Sequence, residues 1–195
     1  MSEIEGMARI NQMLFSISLL ALSWLAMMAI HELGHVVGAV ITGGTVERVV
    51  LHAFAISRTD VAPNPHPAVV VWLGPGIGCM LPLIMFMLVP RRLTVFRIVA
   101  RFFAGLCLVA NGAYIGLGSF NQVGDCGEML RTGTPLWPML AFGAVAVALG
   151  VYLWHGLGSL VHFITNPKLV TPPMACAAFG VLLAGVIASV VLSAN

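Results

Sequence analysis

The segment AMMAIHELGHVVGAV, residues 26–40, sets two histidines and a glutamate inside an apolar run. His31 and His35 stand four positions apart, which puts both side chains on one face of a helix. That spacing lets two imidazoles bind one tetrahedral Zn²⁺ and leaves room for further ligands. Glu32 follows the first histidine directly and suits the general base of a metal-assisted hydrolysis. The competing reading is an accidental match in which the histidines only pack. The glutamate argues against it, because an acidic side chain near the centre of a membrane helix costs roughly 2.5–3.5 kcal/mol on insertion scales.

A membrane setting follows from composition. Of 195 residues, 59% are hydrophobic and 8% charged, and the mean hydropathy is +1.01; such long charge-free runs mark an integral membrane protein. The formal charge of +2 gives no reason to expect a nucleic-acid partner, and no phosphate-binding glycine loop is present. Cys79, Cys107, Cys126 and Cys176 form no CxxC pair, so neither a disulfide framework nor a redox compartment is read from them. The apolar run from Leu14 continues through HELGH to Ile41. It is longer than a signal peptide's apolar core and is expected to be a retained span.

Five transmembrane helices are expected, at 14–41, 67–89, 98–120, 136–162 and 174–193; about twenty apolar residues cross a bilayer, and helices satisfy their own backbone there. The fold class is thus an all-α polytopic membrane protein forming one integral domain. Pro/Gly/polar clusters at 62–67, 132–138 and 166–173 mark turns. After Gly43-Gly44, the β-branched stretch TVERVVLHAFAIS, residues 45–57, suits either a short hairpin or edge strand at the membrane surface, or an irregular loop.

Topology nominates a third ligand. His31 lies 17 residues into the first span, about 25 Å along it at about 1.5 Å per residue, toward its exit side. The third span exits on that same side, into GSFNQVGDCGEML, residues 118–130. Asp125 there would complete a His₂-carboxylate site, with Glu128 and Cys126 as rival ligands. Asn111 and Asn121 are candidates to donate a hydrogen bond to an oxyanion. His52 and His66 fall in the surface connection as ordinary polar residues. His155 and His162, near Trp154, suit packing or interfacial roles. In the second span Gly74, Gly76 and Gly78 remove side chains at a similar depth and Pro75 interrupts the helical bonding, which suits a broken backbone beside a polar cavity or simple close packing. Gly34/Gly38 and Gly112/Gly116 are further small-residue pairs for packing the first and third spans.

HELGH in a membrane helix, TGG-V and a β-like segment after it, LGPGIG opening the next helix, and GDCGEML later in the chain together resemble the site-2 protease family of intramembrane zinc metalloproteases. The resemblance covers about residues 25–130, within a core at 14–130, and leaves 131–195 as two additional helices. It implies one zinc ion per chain held by His31, His35 and Asp125, with Glu32 as base. It also implies a transmembrane or membrane-anchored protein substrate cut in the plane of the membrane, with access for the substrate helix at Gly74, Pro75 and Gly76. The family's third ligand belongs to an LDG motif; here Gly124 stands for the Leu and Cys126 for the final Gly. No proline lies between Asn111 and Asp125 where the family has an Asn-and-Pro pattern.

The expected location is a multi-pass position in a bacterial inner membrane. Orientation is contested. Arg9, Arg91, Arg92, Arg97, Arg101 and Lys168 fall on the side where the first span starts, and Arg48, Arg58 and Arg131 on the HELGH side. That distribution puts the N-terminus inside, whereas many relatives carry the site nearer the cytosol. Two further functional readings stand beside the protease: a non-catalytic relative that keeps zinc for folding or partner binding, and a metal transporter with HELGH as a transient site.

Overall fold

A computed structural model describes residues 3–52, 57–166 and 169–194. The chain is mostly helical. In order it forms α1 (Glu3–Ile41), β1 (Val46–Val50), β2 (Arg58–Val61), α2 (Pro67–Leu88), α3 (Thr94–Gly118), α4 (Asp125–Arg131), α5 (Leu136–His155), α6 (Gly158–Thr165) and α7 (Pro172–Ala194). Five of these helices, α1, α2, α3, α5 and α7, are long and apolar enough to cross a membrane.

The long helices pack in the order α7, α1, α2, α3, α5, and side-chain pairings give their directions. Gly34 meets Leu73 and Gly38 meets Val70, so α1 and α2 are antiparallel. Gly78 meets Asn111 and Cys79 packs on Leu108, while Val71 lies with Ile115, so α2 and α3 are antiparallel. On α3, Gly105 faces Gly150 and Trp154, and Gly116 faces Gly143. A β-carbon on Gly116 would lie 3.1 Å from the Gly143 Cα. Small residues at such crossings let backbones approach closely. The glycine pairs of the first and third spans therefore pack α1 on α2 and α3 on α5.

α1 ends in a Schellman motif. Gly43 adopts φ +76°, Gly44 N–H donates to Ala39 O at 2.8 Å, and Gly43 N–H donates to Val40 O at 3.3 Å. The chain then forms a two-stranded antiparallel sheet in which Val49 pairs with Thr59 and Val50 with Arg58. The surface segment after the first helix is therefore a hairpin whose second strand falls just beyond residue 57; residues 53–56 lie outside the described residues. The Ser193 hydroxyl of α7 accepts from Leu51 N–H at 2.9 Å, and Arg48 Nη2 donates to Ser193 O at 2.7 Å. The hairpin is thus anchored to the end of α7.

Two expectations need correction. The fourth span does not run from 136 to 162 but stops at His155. Arg101 Nε donates to Leu153 O at 2.7 Å, and its guanidinium fills the space where a β-carbon on Gly156 would stand. The chain turns there and α6 follows as a separate short helix. The loop after the third span also holds a helix, α4, which folds back on α2 and α3. Cys126 and Met129 of α4 are fully buried with Val71, Ile115 and Met139.

Candidate metal centre

His31 and His35 share the face of α1 that looks into the bundle, and both are buried. Asp125 reaches them as the first residue of α4. His31 Nε2 lies 2.8 Å and His35 Nε2 3.4 Å from Asp125 Oδ2. The two Nε2 atoms are 3.1 Å apart. A tetrahedral zinc with bonds of about 2.0–2.1 Å sets its ligand atoms about 3.3–3.5 Å from one another. The observed triangle lies near that size, and the group can hold a metal ion.

The outer nitrogens decide what the inner ones carry. Asn111 Nδ2 donates to Cys107 O at 2.8 Å, so its Oδ1 is the atom that faces His31 Nδ1 at 2.6 Å. An amide oxygen only accepts, so His31 Nδ1 carries the hydrogen. His35 Nδ1 faces Val70 O at 2.9 Å and donates by the same logic. With both rings neutral, each Nε2 presents a lone pair toward the other and toward a carboxylate oxygen. Three electron-rich atoms so arranged repel one another unless a cation sits among them. Fixing a ligand histidine through its second nitrogen is also how metal sites are held in register.

Packing serves the same geometry. A β-carbon on Gly74 would overlap the His35 ring, and one on Gly78 would lie 2.8 Å from Asn111 Oδ1. α2 therefore seats the His35 ring and the Asn111 amide, which orients His31, on bare backbone. Pro75 is fully buried, and Gly76 faces open space. Of the three residues considered for substrate access, Gly74 is filled by the His35 ring.

Asp125 is positioned by the turn before it. Gly124 adopts φ 61° and ψ −137°, a conformation that is essentially reserved for glycine. A β-carbon there would also overlap the Tyr114 hydroxyl. That hydroxyl accepts from Asp125 N–H at 3.1 Å, and the Tyr114 ring stands edge-on to His31, with centroids 5.8 Å apart. Glycine rather than leucine ahead of this aspartate thus has a steric reason. Burial pushes the Asp125 carboxyl up, but with no cation among the three groups a proton carried toward it by His31 or His35 outweighs burial and holds it well below the usual carboxylate range. It is ionised, the form a metal ligand needs.

Glu32 is buried beside the ligands, and Thr59 of β2 donates to its Oε2 at 2.8 Å. The rival ligands are engaged elsewhere. Glu128 pairs with Arg131 at 2.6 Å. The Cys126 thiol points at the Tyr114 and Ile115 carbonyls, at 3.4 and 3.7 Å. Asn111 belongs to the site as the partner of His31: it is buried at His31 Nδ1, on the far side of the ring from the Nε2 that faces Asp125. Asn121 stands exposed on the turn after α3, outside the polar contacts around the cluster among the described residues. His66, His155 and His162 are exposed away from it, and the His52 N–H donates to Ser57 at the hairpin.

Thr59 and Tyr114 escaped sequence reasoning. Thr59 is one polar residue in a β-rich stretch, and Tyr114 is brought to Asp125 only by the turn at Gly124. The chain matches no protein-family model, no curated protein and no solved structure.

Proposed function

We propose that the chain is an intramembrane zinc metalloprotease of the site-2 type, which hydrolyses peptide bonds of transmembrane or membrane-anchored proteins. The observation that carries this reading is the convergence of His31 Nε2, His35 Nε2 and Asp125 Oδ2, with Glu32 adjacent to His31 in the sequence. Nitrogen and carboxylate donors in a compact triangle suit zinc. Zinc held there supplies Lewis acidity that activates water and polarises a carbonyl.

The protein's own residues do the rest. His31 and His35 are fixed in one tautomer by Asn111 and Val70. Asp125 brings the negative charge. Glu32 takes the proton of the attacking water at Oε1, since Oε2 is engaged by the Thr59 hydroxyl, and then delivers it to the leaving amine. The five apolar helices support a multi-pass setting, with a bacterial inner membrane as the proposed location.

The test is zinc content of the detergent-purified protein beside His31→Ala and Asp125→Ala. About one zinc per chain, lost in both variants, is expected from three ligands and one ion. Wild-type protein without zinc after reconstitution would overturn the reading. Loss in His31→Ala alone would remove Asp125 from the ligand set. A non-catalytic zinc protein is the second reading, and one observation favours it: Asn111 stands at His31 Nδ1, on the opposite side of the ring from the Nε2 that faces Asp125, and so away from where an oxyanion on the metal would form. Glu32→Gln separates the two, because it spares zinc and abolishes cleavage in a protease but leaves a binding protein's biological activity intact. Metal-dependent flux in liposomes without proteolysis would favour a transporter.

A further inference from the structure

The two ends of the helical bundle differ in charge. One end collects the start of α1, the end of α2, the start of α3, the end of α5 and the start of α7. It carries Arg9, Arg91, Arg92, Arg97 and Arg101, with Glu3 and Glu5 as its acids. Lys168, outside the described residues, belongs to the connection between α6 and α7. The other end carries the hairpin, the metal centre, α4 and the end of α7. Its cations are Arg48, Arg58 and Arg131, set against Glu32, Glu47, Asp60, Asp125 and Glu128. Arg58 pairs with Asp60 at 3.3 Å and Arg131 with Glu128 at 2.6 Å.

Arg97 and Arg101 lie on a candidate spanning helix, so their level decides whether they count. Arg97 Nη1 donates to Val89 O at 2.8 Å, and its guanidinium lies over the Phe86 ring at 4.7 Å. Arg101 Nε donates to Leu153 O. Val89 is the residue that caps α2, and Leu153 belongs to the last turn of α5. Both guanidinium groups therefore sit at helix C-termini, where cations complement the free carbonyls. The Trp154 indole, stacked on Phe102, lies at the same level, as an interfacial aromatic does.

We infer that this arginine-rich end lies at the cytoplasmic surface against anionic phospholipid headgroups, and that the metal centre works from the opposite side of the membrane. Positive charge near helix ends is retained on the cytoplasmic side, and acidic residues hardly alter that bias. α2 places the site's depth: Gly74, which seats His35, is seven residues past Pro67, about 10 Å at about 1.5 Å per residue. On the protease reading, the substrate is a protein whose scissile segment lies in the non-cytoplasmic half of the bilayer. That last step rests on the proposed function; the orientation does not.

The test is cysteine labelling of the full chain in intact bacterial cells with a membrane-impermeant maleimide. Cys176→Ala removes the exposed native thiol, and Cys79, Cys107 and Cys126 are buried. Val123→Cys reports the metal-centre end and Leu93→Cys the arginine-rich end; both positions are exposed. Expected is labelling of Val123→Cys in intact cells, and of Leu93→Cys only after permeabilisation. The reverse pattern, or labelling of both in intact cells, would overturn the inference. Fusions after residue 195 give a second measurement, because Ser193 is held at the hairpin. Alkaline phosphatase there should be active and green fluorescent protein dark; the opposite pair of results would overturn the orientation whatever the cysteine variants do. Neither readout depends on zinc or cleavage, so failure of the orientation and failure of the protease reading are separable.

Discussion

Asn111 Oδ1 and His31 Nδ1, eighty residues apart in the chain, meet at 2.6 Å in the interior of the bundle. The contact fixes which nitrogen of His31 faces Asp125. Loss of such an outer partner typically lowers metal affinity about 10–100-fold. Asn111→Leu should do so and should also leave the His31 N–H unpaired, at a cost of about 1–3 kcal/mol. Asn111→Asp, which keeps an acceptor toward His31, should lose less affinity. Competition of the purified proteins against a zinc-chelating dye checks both; equal affinity in Asn111→Leu and wild type would remove Asn111 from the site.

Gly74 and Gly76, two residues apart on α2, should respond in opposite ways to the same methyl group. The His35 ring occupies the space a β-carbon on Gly74 needs, whereas a β-carbon on Gly76 meets nothing within 4 Å. Gly74→Ala should expel the ring and abolish zinc binding. Gly76→Ala should keep one zinc per chain and leave stability equal or higher, since alanine favours a helix over glycine by up to about 1 kcal/mol. Metal content and thermal unfolding of the two variants, measured side by side, decide it.

HELGH was legible because its geometry is local: i and i+4 share a helix face wherever the helix goes. The five long helices were legible because bilayer thickness sets a length that hydropathy reveals. Chain direction alone brought Asp125 to the correct end. What escaped depends on tertiary contact. Hydropathy runs smoothly through Gly156, but the Arg101 guanidinium packed against it ends α5. Asn111 read as an oxyanion donor, yet its Oδ1 meets His31 Nδ1, a contact fixed by how α3 sits against α1. α4 is only seven residues long and has no span-length signal to announce it.

Thr59 should act on Glu32 alone. Its hydroxyl donates to Glu32 Oε2, and it touches no ligand of the cluster in the contacts of the described residues. A hydrogen bond to a charged group is worth about 1.5–3 kcal/mol, equivalent to about 10–100-fold in rate if the bond holds the base in its working position. Thr59→Val should therefore slow cleavage by that order with zinc content unchanged, and Thr59→Ser should restore it. Zinc loss in Thr59→Val would mean that the hairpin supports the ligands rather than the base.

Cys126 directly follows Asp125, yet its thiol should neither react nor respond to metal. It is fully buried, and burial together with the neighbouring Asp125 carboxylate pushes its pKa up to about 11. A thiol so shifted is almost wholly protonated near neutral pH, and the thiolate is the nucleophile; the sulfur also points at the Tyr114 and Ile115 carbonyls and lies outside the His31, His35 and Asp125 group among the described residues. Cys176 is exposed on α7. N-ethylmaleimide at neutral pH in detergent should therefore label Cys176 and spare Cys126 until the protein is denatured. Removal of metal with a chelator should not change that pattern while the fold persists. If Cys126 were a ligand, chelation would free its sulfur and labelling would rise in the native protein, and the carboxylate of Asp125 would lose its claim to the third position.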